Sequence, residues 1–406
     1  MTSRILRRAC AFTLASVLGV LASAPGRADD TTVKLGVLND MSGVYADISG
    51  PGSVVAAQMA ADDFMAHNKG FKVEVVGADH QNKPDVGSSV ARKWYDQEGV
   101  DAILDVPTSS VALVVSDITR EKNKVFLVSG GGSSDLTGAR CSPNTVQWTY
   151  DTWALANGTG TAATKRGGTS WFFLTADYAF GAALERDAAA AVKKAGGKVV
   201  GGVKHPLSAT DFSSFLLQAQ ASGAKVVGLA NAGGDTINAI KQAAEFGLGQ
   251  GGQSLTGLLI FSSDVKALGL PAAQGLLLTE AFYWDLNDDT RAFSKRFAEK
   301  FGGKMPTSTQ AGVYSSALHY LNAIKDAKTK EASKVMAQMR STPVDDPLFG
   351  KGEIRIDGRA THPMYLFEVK KPADSKGPWD IYRLVATIPA DEAFRPLADG
   401  NCPLVK

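Results

Sequence analysis

The chain has 406 residues, with 43 lysines and arginines, 41 aspartates and glutamates, and a formal net charge of +2. This near balance argues against a nucleic-acid or anionic-membrane partner, because such partners select strongly basic surfaces. The length is enough for two domains or lobes, and no low-complexity tract marks a boundary between them.

The first 28 residues have the layout of a secretory signal peptide. Three arginines lie within the first eight residues, an apolar stretch runs over 9–22, and small residues lead to Ala28. This layout predicts export to the periplasm with cleavage near Ala28. Cleavage removes four of the 43 basic residues and no acid, which leaves 39 basic against 41 acidic residues and a net charge near −2.

Short apolar runs of β type alternate with helix-length stretches along the chain. A first set of predicted strands occupies 33–38, 71–76, 102–106 and 125–128, with a helix over 51–67. A second set occupies 170–175, 197–202, 225–230, 258–261 and 275–279. The last part predicts helices over 290–302, 308–326 and 331–340, then strands over 352–356 and 363–370. This alternation is typical of parallel sheets covered on both faces, and two successive sets predict two similar lobes.

Two cysteines remain after cleavage, Cys141 and Cys402. In an oxidising compartment an even pair predicts a disulfide, here one that ties down the C-terminal tail. The alternative, two unpaired thiols, stays open because the sequence gives no distance between them.

The motifs of nucleotide, metal and serine chemistry do not fit the sequence. Gly158-x-Gly160-x-x-Ala163 follows no convincing strand, and the loop over 247–254 has Gln253 where a phosphate loop needs lysine. The five histidines lack metal-ligand spacing, and there is neither a Cys-x-x-Cys nor a nucleophile elbow. We therefore expect no cofactor, no metal, no catalytic residues and no enzyme activity.

Two loops that follow predicted strands carry groups suited to an anion. One holds Thr108, Ser109 and Ser110, although these hydroxyls could simply cap the next helix. The other, SGGGSSD over 129–135, offers backbone N–H groups that no β-carbon obstructs. Phosphate sites commonly include Lys or Arg, and neither loop has one, so a carboxylate is the better-matched guest.

With these motifs the chain resembles the periplasmic branched-chain-amino-acid-binding family of ABC importers over essentially its whole mature length. The markers are VKLGVLNDMSG (33–43), the 108–110 loop, VFLVSGGGSSDLT (125–137), TADYAFG (175–181) and VVGLANAGGDTINAIKQAAEFG (226–247). The resemblance implies a type I periplasmic binding protein. This is an α/β fold with parallel sheets in two Rossmann-like lobes, joined by a three-strand hinge. It also implies that lobe one holds 29–149 and 283–363, and lobe two 150–282 and 364–406.

The resemblance also implies how the ligand carboxylate is held. The hydroxyl of Ser109 would bind it from one loop. Backbone N–H and hydroxyl groups of Gly130, with Gly132 or Ser133, would bind it from the next loop. The second lobe would then close over the side chain and the ammonium group.

The second lobe departs from the family pattern. Phe180 stands where the family has tyrosine, with Tyr178 nearby, and Asn231 lies beside an alanine that replaces another tyrosine. Asp264 best matches the acid that pairs with the ammonium group. Tyr45, Trp284 and Phe180 would suit a flat ring, although each could be ordinary packing.

These features predict a periplasmic substrate-binding component of an ABC importer. It would capture an amino acid or related small carboxylate and deliver it, as a monomer, to a permease in the inner membrane. Two alternatives remain: a ligand sensor of the same fold, or a binder of aromatic carboxylates or amides.

Overall fold

The computed structural model describes residues 31–248 and 252–405. The predicted signal peptide, 1–28, lies outside them. The strands are β1 (Thr32–Asn39), β2 (Lys72–Asp79), β3 (Ala102–Asp105), β4 (Val125–Val128), β5 (Thr145–Gln147), β6 (Ser170–Ala176), β7 (Lys198–His205), β8 (Val226–Ala230), β9 (Ser254–Gly257), β10 (Leu277–Glu280), β11 (Val344–Asp346), β12 (Gly350–Gly352), β13 (Met364–Val369) and β14 (Tyr382–Ile388).

Helices follow most of these strands. They are α1 (Gly50–His67), α2 (Pro84–Asp96), α3 (Ser109–Glu121), α4 (Thr152–Leu155), α5 (Thr161–Lys165), α6 (Ala179–Lys194), α7 (Ser213–Ala221), α8 (Gly234–Glu245), α9 (Ser262–Leu268), α10 (Leu270–Ala273), α11 (Asp288–Lys300), α12 (Ser308–Ala327), α13 (Ala332–Ser341) and α14 (Ala390–Ala393). Among the described residues, none of these helices combines the length and the apolar character needed to cross a membrane.

Two parallel sheets form the centres of two lobes. The first has the order β2-β1-β3-β4-β5, and the second has the order β7-β6-β8-β9. Helices α1 and α12 pack together on the first sheet, as do α2 and α3. Strands β3, β4 and β8 are buried along their whole length, as expected of strands covered on both faces. This arrangement confirms the predicted α/β fold with two lobes.

Within the described residues, three passages between the lobes form the hinge, after β5, after β10 and before β13, and the tail after β14 returns to the first lobe. The first and third passages lie side by side, because Gln147 and Arg359 form a parallel bridge and His362 Nε2 lies 2.9 Å from the carbonyl oxygen of Trp148. A three-stranded antiparallel sheet, β10-β13-β14, adjoins the passages and packs into the core of the second lobe.

Two predicted strands are wrong. The strand predicted over 258–261 lies earlier, at β9, because pairing with β8 ends at Gly257 and the chain then folds back so closely that Ile260 packs on that glycine. The strand predicted over 352–356 ends at Gly352. Beyond it only an isolated bridge at Ile354 forms, because the chain turns through Gly358, whose φ is +86°.

A disulfide joins Cys141 to Cys402, with Cα atoms 5.6 Å apart. The tail before Cys402 also contacts the loop after β4, since a guanidinium N–H of Arg395 donates to the carbonyl oxygen of Ser134 at 2.9 Å. The end of the tail thus lies on the first lobe, although the prediction assigns 364–406 to the second. The predicted residue boundaries of the lobes stay a prediction.

Candidate functional site

Loops from the two lobes meet at the carboxyl ends of the parallel strands. The loop after β1 carries Val44 and Tyr45, and the start of α8 is formed by Gly233, directly before the helix, and Gly234, its first residue. The N–H of Gly234 donates to the carbonyl oxygen of Val44 at 3.1 Å. The hydroxyls of Tyr45 and Tyr178 are hydrogen-bonded across the same boundary. The lobes therefore touch, and the cleft between them is closed.

Aromatic rings surround Gly132 in this cleft. A β-carbon on Gly132 would stand 2.8 Å from a ring carbon of Tyr150 and 2.9 Å from one of Phe180. Phe180 is buried, and its ring centre lies 6.0 Å from that of Tyr178. The predicted residues Tyr178 and Phe180 thus meet, and only glycine fits opposite them.

The residues predicted to hold a carboxylate lie together on the first lobe. The N–H of Ser133 donates to Ser109 Oγ at 3.1 Å, and both side chains are buried. The N–H of Gly130 donates to the carboxylate of Asp105, and its carbonyl oxygen accepts the hydroxyl of Tyr150 at 2.7 Å. The hydroxyl groups of Ser109 and Ser133 and the glycine loop therefore share one buried surface. Their contact with a ligand stays a prediction.

The hydroxyls at 108–110 are used differently from a simple helix cap. Thr108 precedes α3, but its side chain makes no capping hydrogen bond and donates instead to the side-chain oxygen of Asn82. Ser109 accepts from the neighbouring loop, as described above. The first-lobe loops are therefore joined through these hydroxyls.

Asp105 is the buried acid that connects the first-lobe loops. Its carboxylate accepts from Asn39 Nδ2 at 2.7 Å, from Ser53 Oγ at 2.5 Å and from the N–H of Gly130. Asp105 and Val106 both have positive φ, 76° and 56°, a strained turn for residues with side chains. Burial raises the pKa of Asp105 to about 6, although these hydrogen bonds lower it. The acid fixes the glycine loop against β1 and α1.

Two predicted residues of the second lobe are bonded within that lobe. The amide nitrogen of Asn231 lies 3.0 Å from His205 Nε2, and its oxygen accepts the hydroxyl of Thr236 at 2.6 Å. Asp264 Oδ2 accepts the N–H of Phe261 at 2.9 Å, at the start of α9. Asp264 therefore caps its own helix. Its predicted pairing with a ligand ammonium is untested and stays a prediction.

Trp284 makes its contacts away from the tyrosine pair. Its indole N–H donates to the carbonyl oxygen of Trp379 at 2.7 Å, and its ring packs edge-on against Tyr283. Trp284 and Trp379 line a surface cavity of about 410 Å³. Among the described residues, no hydrogen bond or ring pair joins Trp284 to Tyr45 or Tyr178, and its role in the cleft stays a prediction.

Comparison with known proteins identifies the family of this chain. The sequence model described as a periplasmic binding protein matches residues 32–377. The chain belongs to the periplasmic binding protein family. Its relatives are binding proteins and not enzymes. Within the described ranges, this binding protein has no group of three or more His, Cys, Asp or Glu side chains that could hold a metal ion.

Three relatives are similar over most of this binding protein. A periplasmic binding protein of Burkholderia mallei is 51% identical, covers 93% of this chain and 100% of its own, and superposes with a TM-score of 0.90. A branched chain amino acid ABC transporter periplasmic ligand-binding protein of Burkholderia xenovorans LB400 is 41% identical, with coverage of 92% and 100% and a TM-score of 0.81. The Leu/Ile/Val-binding protein homolog 6 of Brucella melitensis is 28% identical over 377 residues, 88% of this chain and 93% of the relative. These relatives confirm the family predicted from the sequence.

Sequence reasoning missed three residues around the cleft of the binding protein: Asp105, Tyr150 and Glu280. Asp105 had a signal, since it is an acid inside the apolar run AILDV directly before the 108–110 loop. Tyr150 lies at the first passage between lobes. Nothing in the spacing of Glu280 marked it, because its partners are distant in sequence.

We expect Glu280 to make the stability of the binding protein depend on pH. Burial raises its pKa to about 8, although hydrogen bonds from Ser308 and Tyr382 lower it. A carboxyl group with a pKa above its unfolded value of 4.5 binds more protons when folded. The folded state therefore loses stability as the pH rises from about 4.5 towards 8.

Replacing Glu280 with glutamine should remove this loss. Glutamine keeps an oxygen that can accept from Ser308 and Tyr382 but does not ionise. We expect E280Q to melt several degrees above the wild type at pH 8 and within about 2 °C of it at pH 4.5. Glu245→Gln, at an exposed position on α8, is the matched control. The difference between its melting temperature and that of the wild type should be the same at both pH values. An E280Q difference that does not grow with pH would contradict the assignment.

Proposed function

We propose that this periplasmic binding protein captures an amino acid or related small carboxylate between its lobes and delivers it to an ABC permease in the inner membrane. The observation that carries the proposal is the buried bond between Ser109 Oγ and the N–H of Ser133, 3.1 Å long. It brings a hydroxyl and a backbone donor together beside the closed cleft. A carboxylate between them would exchange one neutral hydrogen bond for two charge-assisted ones.

Hydrogen bonds of this kind can supply the binding free energy that ligand capture at micromolar concentration requires. Micromolar affinity corresponds to about −8 kcal/mol. Hydrogen bonds to a charged group contribute about 1.5–3 kcal/mol each, so several of them with apolar burial suffice. The second lobe adds Tyr178 and Phe180 to the same ligand, and contacts from both lobes stabilise the closed state over the open one.

Removal of the Ser109 hydroxyl tests the proposed carboxylate site. We expect Ser109→Ala to lower affinity by about tenfold or more, because one charge-assisted hydrogen bond is lost, while the unliganded protein stays folded with a melting temperature a few degrees below wild type, because the buried N–H of Ser133 loses its acceptor. Isothermal titration calorimetry would measure the affinity. The probe is L-leucine, or whichever branched-chain amino acid, aromatic carboxylate or aliphatic carboxylate gives the largest thermal shift. Ser110→Ala, at the next and partly exposed position, is the control. Equal affinities in S109A and wild type would contradict the carboxylate assignment.

An aromatic carboxylate is a second candidate ligand. It is favoured by the rings of Tyr45, Tyr150, Tyr178 and Phe180, which lie around Gly132 and the contact between the lobes. Flat rings stack well against such side chains. The thermal-shift panel distinguishes the two, because each class is represented in it.

The cellular setting belongs to the same proposal. Residues 1–28 would direct export, and the mature protein would act as a monomer in the periplasm. Lobe one would comprise 29–149 and 283–363, and lobe two 150–282 and 364–406, apart from the tail end that contacts the first lobe. The helices α11 and α12 pack on α1, in support of this division.

A further inference from the structure

Asp235 lies where the second lobe meets the first. It occupies the first turn of α8, directly after Gly233 and Gly234, which contact Val44 and Tyr45. Its side chain is fully buried, with a relative exposure of 0%. A carboxylate at this depth needs hydrogen-bond donors, because burial of a charge without partners costs free energy.

Only part of the carboxylate is paired. Oδ2 accepts the N–H of Ser208 at 3.1 Å, and the N–H of Ala209 also bonds to the side chain. Oδ1 has no hydrogen-bond partner within 31–248 and 252–405. Buried acceptors are nearly always paired, so an unpaired oxygen beside a binding cleft indicates a position for a ligand donor.

Hydroxyl and backbone N–H groups surround Asp235, and among the described residues it forms no ion pair with a lysine or arginine. Burial raises the pKa of the Tyr45 and Tyr178 hydroxyls, and the nearby carboxylate of Asp235 raises both further. Burial raises the pKa of Asp235 itself to about 7, and the groups that lower it are the N–H groups of Ser208 and Ala209. Within the described ranges, no lysine or arginine contributes to this shift. The site therefore lacks a cation of its own.

We propose that Asp235 Oδ1 accepts a hydrogen bond from the ammonium group of the ligand, beside the hydroxyls of Tyr45 and Tyr178. This inference rests on the proposed function and narrows it, because it selects amino acids over their deaminated analogues. It also assigns this role to a residue other than Asp264. The carboxylate of Asp264 already closes the N-terminus of α9 through the N–H of Phe261.

Calorimetry on three proteins tests the assignment: wild type, Asp235→Asn and Asp264→Asn. The probes are two matched pairs, L-leucine with 4-methylpentanoate and L-phenylalanine with 3-phenylpropanoate. Asparagine keeps an oxygen for Ser208 and Ala209 but turns an N–H₂ group towards the ligand. For the pair that binds, wild type should prefer the amino acid by at least about tenfold. D235N should lose that preference while its affinity for the deaminated acid stays within about threefold of wild type. D264N should keep the preference.

Three results overturn the inference alone: a wild type that prefers the deaminated acid or does not discriminate, a D235N variant that keeps the wild-type preference, or a D264N variant that loses it. In each case carboxylate capture still stands. A wild type that binds none of the four probes and no member of the thermal-shift panel overturns the proposed function and the inference together.

A second measurement uses the wild type only, in case D235N also loosens the loop over 206–210. Leucine, 2-hydroxy-4-methylpentanoate and 4-methylpentanoate carry a charged donor, a neutral donor and no donor at the same carbon. Their affinities should fall in that order if a buried carboxylate faces this carbon. Equal affinities for the three would contradict the proposal, even if D235N does not fold.

Discussion

Alanine at position 233 should prevent the lobes from closing and lower ligand affinity by about 100-fold, while both lobes remain folded. Gly233 has φ of +57°, and a β-carbon there would stand 2.3 Å from the carbonyl oxygen of Val44 and 3.1 Å from the ring of Tyr45. The nearer contact is with backbone, so no side-chain rotation relieves it. If the clash raises the free energy of the closed state by about 3 kcal/mol relative to the open state, affinity falls about 100-fold, because the ligand binds tightly only to the closed state.

A second glycine serves as a control for the effect of a β-carbon at positive φ. Gly223 also has positive φ, +62°, but a β-carbon there would meet no atom within 4 Å. Gly223→Ala therefore introduces a β-carbon at positive φ without the contact between lobes, whereas the ψ of −132° at Gly233 adds backbone strain of its own to Gly233→Ala. Calorimetry should show near-normal affinity for G223A, and small-angle scattering should show ligand-induced compaction in G223A but not in G233A. Tight binding by G233A would mean that the ligand does not need this closed arrangement.

Removal of the disulfide should lower the free energy of unfolding by about 2–5 kcal/mol. Cys141 and Cys402 are 261 residues apart in sequence, so their bond closes a very long loop and strongly restricts the unfolded chain. Urea denaturation of the double variant Cys141→Ser/Cys402→Ser measures the loss. Wild type reduced with dithiothreitol should resemble the variant. Equal denaturation midpoints in oxidised wild type and the double variant would contradict the prediction.

The buried parallel strands could be predicted because their apolar runs coincide with pairing. The strand over 125–128 was predicted with its observed bounds, and that over 33–38 lies within β1. The run over 258–261 is equally apolar and buried, yet it forms no strand, because the partner β8 has already ended. Strand β14 was missed for the opposite reason: it is an edge strand, and Leu384 and Val385 are both exposed. In both cases, hydrogen bonding to a neighbouring strand, and not the apolar character of the run, determines whether a strand forms.

The first-lobe half of the site was more predictable than the second. Ser109 and the glycine loop follow strands of one sheet, whose carboxyl ends share an edge, so their proximity follows from topology. The second-lobe residues depend on closure. The contact between Tyr45 and Tyr178 joins residues 133 apart in sequence, and the unpaired oxygen of Asp235 becomes visible only when its neighbours are in place. The hydrogen-bond partners of these second-lobe residues, and so their chemical roles, depend on the folded structure.

The disulfide also adds a covalent connection between the lobes beside the hinge, because it bonds the tail after β14 to Cys141 of the first lobe. The segment after β14 still contacts the second lobe at Glu392, whose carbonyl oxygen accepts from Asn157, and three residues later Arg395 contacts the first lobe. Phe394 lies between them under the guanidinium of Arg359. Because Cys402 is bonded to Cys141, this tail is a fourth tether between the lobes. We therefore expect the lobes to part further when this disulfide is reduced than when it is intact.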